Sequence, residues 1–224
     1  MENQFYNNGS GINVSLDGIG GLSRTQAFGT YIKYLIMMFA ATLVGMFVGM
    51  LMGNSNSTLY MGASVLSFVF CLAMIFTKGT TKYIMCVIFC ALMGVSVELI
   101  MSFYTLGSVF LAVLITFVDA IGCAYFALKA EANYSKLGTI LFFCLIGVLV
   151  YEVIGFFFAL PAIHGLVVAI FTLYLVYDIN KFKLTVEAYG DCVPPEMVMN
   201  AAVDVYLDII NILIRVLQLI GKRD

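Results

Sequence analysis

The chain has 224 residues, 62% of them hydrophobic and 11% charged, with a formal net charge of −2. Soluble domains are nearer half apolar and a quarter charged, so the composition lies outside the globular class, and the length suits one membrane bundle without a second folded domain. The scattered basic residues form no stripe, which excludes a nucleic-acid surface.

Residues 1–30 are polar and glycine-rich (NNGSGINVSLDGIGGLSR). They have no basic start followed by an apolar core, so they do not read as a signal peptide. Their glycines follow no predicted strand, so no phosphate loop is expected. The segment reads as a disordered cytoplasmic tail.

A bilayer core about 30 Å thick needs about 20 mostly apolar residues in a helix. Seven stretches qualify, near 31–53, 58–77, 83–103, 105–128, 137–158, 162–181 and 198–220. Only helices or closed barrels satisfy their backbone in lipid, and these runs lack the alternation of barrel strands. The breaks have local causes: Asn54-Ser55-Asn56-Ser57, Lys78-Gly79-Thr80-Thr81-Lys82, Tyr104-Thr105-Leu106-Gly107, Lys129 to Lys136, Pro161, and a longer loop near 182–197. The expected fold is all-α, a polytopic seven-transmembrane-helix bundle over residues 31–221.

Arg24, Lys33, Lys78, Lys82, Lys129, Lys136, Lys181 and Lys183 fall on the N-terminal side of this arrangement. Lys222 and Arg223 fall on the other side, with Arg215 inside the last span. The bias predicts a cell-membrane protein with a cytoplasmic N-terminus. The basic C-terminal end leaves a re-entrant last segment as the alternative. No long internal repeat of the transporter kind is present.

Cys71, Cys86, Cys90, Cys123, Cys144 and Cys192 form no C-x-x-C and bring no ligand set, so they read as buried or lipid-facing thiols.

A charge near the bilayer centre costs roughly 2.5–3.5 kcal/mol on insertion scales, so it needs a partner, water or a proton. Glu98, Asp119, Glu152, Asp178, Asp204 and Asp208 lie in or at the ends of spans, against Arg215 and Lys33 as bases. Tyr174 and Asp178 are one turn apart. Asp204, Asp208, Asn211 and Arg215, spaced four, three and four, share a helix face that should look into the bundle or a pore. If Asp178 and Asp208 face each other, they cannot both carry charge cheaply and would share a proton. Losing it would create a repelling pair or a cation site. Calcium, which takes oxygen ligands, suits Asp178 and Asp208 with Asn180 and Asn211 better than zinc does. The plainer alternative is that these polar groups only hold helices together, above all for Asp204. Glu98 and Glu152 either line a pore or sit at an interface. Asp119 is a mid-span pathway candidate. His164 reads as interfacial, with a sensor role as the alternative. Tyr174, Tyr177 and Tyr206 read as packing or hydrogen-bonding residues rather than catalysts.

LYLVYDINK at 173–181 and VYLDIINILIRVLQLIG at 205–221 resemble the Bax inhibitor-1, or transmembrane BAX inhibitor motif, family. FYTLGSVFLAVLITF at 103–117 and Tyr134-Ser135-Lys136-Leu137-Gly138 are similar too, and the resemblance covers roughly residues 30–221. It implies a seven-helix fold with the last helix central, and a pH-sensitive calcium leak gated by aspartates at the positions of Asp178 and Asp208. The family's eukaryotic members are linked to suppression of cell death through calcium handling. The short tail looks more like a bacterial member, so that role is not carried over. A bacterial relative of this kind latches one aspartate with an arginine at the end of its second span. Lys78 stands there here, without the bidentate fork. Asp204, Glu98 and Glu152 also depart from the pattern.

The leading expectation is therefore a calcium leak, with lipid, calcium and protons as its partners, calcium as transported ion and no cofactor. It is expected not to be an enzyme. A proton-coupled secondary transporter is the alternative. An intramembrane aspartyl protease matches at Tyr177-Asp178, but Val205-Tyr206-Leu207-Asp208 lacks the Gly-x-Gly-Asp that such enzymes need. A structural or stress-related binding protein is the plainest option. The sequence sets no oligomeric state, and a monomer is compatible with it.

Overall fold

The computed structural model describes residues 21–53, 57–158 and 161–222. The first twenty residues of the expected tail, the break at Asn54-Ser55-Asn56 and Arg223 lie outside the described residues. The described chain forms seven helices: α1 (Arg24–Met52), α2 (Ser57–Phe76), α3 (Gly79–Met101), α4 (Leu106–Lys129), α5 (Ser135–Phe158), α6 (His164–Tyr189) and α7 (Pro195–Ile220). They match the seven predicted stretches, and the protein is an all-α polytopic membrane protein. Five of them, α1, α3, α4, α5 and α6, are long and apolar enough to cross a membrane by themselves. The apolar stretch of α2, Tyr60–Met74, is shorter. In α7, Asp204, Asp208 and Arg215 interrupt the apolar run.

Two boundaries differ from expectation. Residues 24–30, expected in the tail, are the first turns of α1. Ser23 and Gln26 form a capping box: the Ser23 hydroxyl accepts from the Gln26 N–H, and the Gln26 side chain accepts from the Ser23 N–H. That arrangement satisfies two otherwise orphaned donors and starts the helix early. Leu22 just before it exchanges two backbone hydrogen bonds with Val193, at 2.8 and 2.9 Å. The long loop expected near 182–197 shrinks, because α6 runs on past Lys181 and Lys183 to Tyr189. The apolar run ends there but burial does not, since Phe182 and Val186 still pack into the core.

The short α6–α7 loop and the first turn of α7 are each tied to the start of another helix. Arg24 N–H donates to Asp191 at 3.4 Å, and Gly79 N–H at the start of α3 donates to Glu196 at 3.1 Å. Each carboxylate meets the N-terminal end of a neighbouring helix, where unsatisfied N–H groups favour negative charge.

α7 is one unbroken helix of 26 residues. It packs against α6, α1, α4 and α3, and between Ala201 and Gln218 none of its residues is exposed. The outer helices turn apolar side chains outward instead: Leu43, Phe47 and Leu51 on α1, Phe110 and Phe117 on α4, and Phe143 and Phe157 on α5 are all more than half exposed. This suits a lipid surround.

Glycine sets the spacing of the α1–α3 seam. A side-chain carbon at Gly45 would fall on the Ala91 carbonyl oxygen, and one at Gly94 on the Thr42 carbonyl oxygen. Small residues at such crossings let two backbones touch, which drives helix association in lipid. Gly94→Val should therefore force α1 and α3 apart and destabilise the detergent-solubilised protein by about 1–3 kcal/mol, the usual cost of overpacking. A melting curve matching wild type would refute this reading of the seam.

Candidate functional site: a pair of aspartates on the last two helices

Asp208 sits in the middle of α7 and is 5% exposed. Its burial follows from the position of α7, which is surrounded on all sides rather than by its polar face alone. Val205, Tyr206, Ile210 and Ile212 are as deeply buried as Asp208. Asp178 comes from α6, which packs closely on α7, and is half-buried. The two carboxyl groups stand close enough to act on one another. Oδ2 of Asp208 has no donor among the described residues. A carboxylate oxygen only accepts, and a second carboxylate offers it nothing. One proton on the pair supplies the missing donor and removes a like-charge contact in a poorly hydrated place.

Asp178 also lines a cleft of about 190 Å³ with Asp204, Lys181, Thr185, Asn200 and Phe182, near the α6–α7 loop. It thus links an accessible cleft to a buried partner. Asp204 therefore belongs to the entrance and not to the pair. Lys181 and Lys82 are the cations that act on Asp204, and Lys181 also acts on Asp178. The Lys181 ammonium rests 5.7 Å from the centre of the Tyr177 ring. Lys78, expected as a substitute latch, is exposed and makes no ion pair among the described residues. It caps the start of α3 and is turned out of the bundle, whereas Lys181 is carried into the cleft by the helix that carries Asp178.

The other polar residues separate into groups. The Asn211 amide donates to the Leu207 carbonyl of its own helix at 2.8 Å. Asn180 donates to the Ala132 carbonyl and accepts from Tyr134 N–H, pinning the α4–α5 linker. Neither serves the aspartates, so the expected four-residue calcium set is not assembled. Among the described residues no group of three or more His, Cys, Asp or Glu side chains could hold a metal ion.

Arg215 belongs to another cluster, two turns along α7. It pairs with Glu152 of α5 at 2.6 Å, and its other terminal nitrogen reaches His164 Nδ1 at 3.4 Å and Gln218 at 3.3 Å. Glu98 is held in the α1–α2–α3 seam, where the Tyr60 hydroxyl is shared between Glu98 (2.8 Å) and the Gly49 carbonyl (2.9 Å). Asp119 accepts from the Thr172 hydroxyl at 3.1 Å and lies beside the Cys123 thiol, joining α4 to α6. Tyr206 has a hydrogen-bonding role, with its hydroxyl 2.7 Å from that of Thr42. Tyr177 packs against Gly138 of α5, where a side-chain carbon would meet its ring. All six cysteines are reduced thiols.

The reading of the sequence missed Tyr31 of α1. It stacks on Phe182 with ring centres 4.3 Å apart, is 8% exposed, and lies close enough to Asp178, Asp208 and Asp204 for all three to act on its hydroxyl. A tyrosine at the start of a span reads as an interfacial anchor, so its type carried no signal of its place.

A family model described as "Inhibitor of apoptosis-promoting Bax1" matches residues 28–224. The chain belongs to the Bax inhibitor-1 family. The match takes in six complete helices and nearly all of α1. The chain is 27% identical to an uncharacterized protein of Helicobacter pylori over 214 residues, covering 89% of this chain and 90% of that one. It is 28% identical to human protein lifeguard 3 over 151 residues, 63% of this chain and 47% of the relative. It is also 28% identical to Bax inhibitor 1 of Schizosaccharomyces pombe over 145 residues, 62% and 52% of the two chains.

Two outcomes follow from the geometry. Asp208→Asn keeps the shape of the pair and donates to Asp178 at every pH. Wild type loses its shared proton as pH rises. The melting temperature of the variant relative to wild type should therefore climb between about pH 5 and 9. Parallel curves would exclude a shared proton. Separately, Glu152→Gln and Arg215→Gln should each lower the melting temperature, and the double variant should cost less than their sum, with a coupling of about 1 kcal/mol.

Proposed function

We propose that this Bax inhibitor-1 family protein is a pH-sensitive calcium leak of the cell membrane, with Asp178 and Asp208 as its gate. The observation that carries the reading is the buried Oδ2 of Asp208, which lacks a donor and stands beside a second carboxyl. With one proton on the pair, α6 and α7 are held together by a charge-assisted hydrogen bond. Without it, two like charges meet at low dielectric, and either the helices part or a cation enters between them. Calcium suits such a place because it accepts carboxylate, carbonyl and water oxygens in flexible geometry.

The cleft supplies an approach. Asp178 and Asp204 give it negative charge, Asn200 and Thr185 give it neutral oxygens, and the tethered Lys181 ammonium competes with an arriving cation. The basic residues gathered at the end of the bundle that holds this cleft favour placing it in the cytoplasm. No catalytic role is assigned to any residue. Val205 and Leu207 occupy the two positions at which the Gly-x-Gly-Asp of an aspartyl protease has glycine.

The test is calcium flux into liposomes holding the purified protein, from about pH 5 to 9. Wild type should give a flux that rises as the pair loses its proton. Asp208→Asn should flatten that dependence. Rates no higher than those of empty liposomes at every pH would sink the leak, and dependence on an opposing ion gradient would point to a coupled transporter instead.

A further inference from the structure

Two buried polar atoms in one region lack partners, and they are complementary. The Tyr31 hydroxyl on α1 is a donor without an acceptor, and Oδ2 of Asp208 on α7 is an acceptor without a donor. Both residues are more than nine-tenths buried. Such groups are rare in folded proteins, and each one calls for a physical account. Of the acids near the Tyr31 hydroxyl, Asp178 acts on it most strongly, followed by Asp208 and Asp204. The ring is fixed in place by its stack on Phe182, with Phe28 edge-on to the same Phe182 at 5.3 Å. Phe182 in turn lines the cleft that holds Asp178 and Asp204. The aromatic stack therefore stands where cleft and pair meet, with one polar atom on an otherwise apolar plug.

We infer that Tyr31 is a positioning residue of the gate, whose hydroxyl donates to the aspartate pair, directly or through one water, when the pair has lost its proton. The inference rests on the two-aspartate reading above and adds a third member to it. While the pair shares a proton, its own hydrogen bond suffices and the Tyr31 hydroxyl is withheld. When that proton leaves, the pair gains acceptor capacity and loses its internal donor, and a nearby O–H is the neutral group suited to fill the gap. Hydrogen bonding to the charged form favours that form. Tyr31 thus eases the step that opens the gate and sets the pH at which it occurs.

Other ionisable groups act on the pair or on its neighbour Asp204. α6 contributes Lys181 and Tyr174, α7 contributes Asp204, α4 contributes Cys123, and Lys82 of α3 acts on Asp204. Tyr31 is what α1 contributes. It differs from the rest in being a buried donor with no partner of its own.

Tyr31→Phe tests this, because it removes the hydroxyl and keeps the ring on Phe182. A purely structural tyrosine would leave the pH profile in place. In the liposome assay the variant's flux should need a pH higher by about one unit to reach its midpoint, the tenfold effect expected of a hydrogen bond to a charged group. In the Asp208→Asn background the same change should have no effect. Superimposed profiles of Tyr31→Phe and wild type would overturn the inference while leaving the leak intact. If wild type carries no calcium, the leak falls, and melting curves decide the role of Tyr31 instead. Loss of stability relative to wild type at the alkaline end alone supports it, and curves that stay parallel at every pH overturn it.

Discussion

A carboxylate closed off from water must find a donor, a counter-charge or a proton, and in this protein that requirement falls on Asp208. The oxygen it leaves unpartnered faces a region where the other strong groups are also acids. Charge there is costly because the surroundings screen weakly. One shared proton on the pair with Asp178 would meet that requirement, and this is the basis of the proposed gate. The rest of the bundle holds α6 and α7 together and leaves one side of Asp178 on the cleft.

The holding is distributed. Glycines in the α1–α3 seam bring two backbones into contact, giving α7 a firm wall on one side. Capped loops tie the entry of α7 to the starts of α1 and α3. Further along α7, Arg215 reaches across to Glu152 on α5 and to His164 at the start of α6. A helix buried on all sides can move only if several of these contacts give together, so a change at one pair of side chains can be felt along its whole length.

The departures from the family pattern gain different meanings once placed. Asp204 lines the cleft and makes its entrance more acidic, while Lys181 offsets part of that charge from the same wall. Glu152 is matched by Arg215, and Glu98 is matched by Tyr60. Of these three acids, only Asp204 lines the cleft. Lys78 is at the surface, so the cations that act on the aspartates are Lys181 of α6 and Lys82 of α3.

Seven helices, their approximate ends and the pair Asp178–Asp208 were legible in the chain, because apolar run length and isolated charges within such runs are properties of sequence alone. The start of α1 was legible too, in Ser23 and Gln26, but the polarity of its surroundings masked it. The partners of Asn180, Asn211, Glu98 and Glu152 were not legible. Each depends on which face of one helix meets which face of another, and spacing along a single helix says only which residues share a side. Tyr31 marks the limit most clearly: 147 positions separate it from Asp178 in the chain. Nothing local to it distinguishes a lipid-facing ring from one stacked over a buried acid. Sequence determined that charge would be buried in a membrane helix, because the number of acids in apolar runs cannot be hidden. Tertiary structure decided which charges would meet, because that follows from the packing of α7 among four other helices.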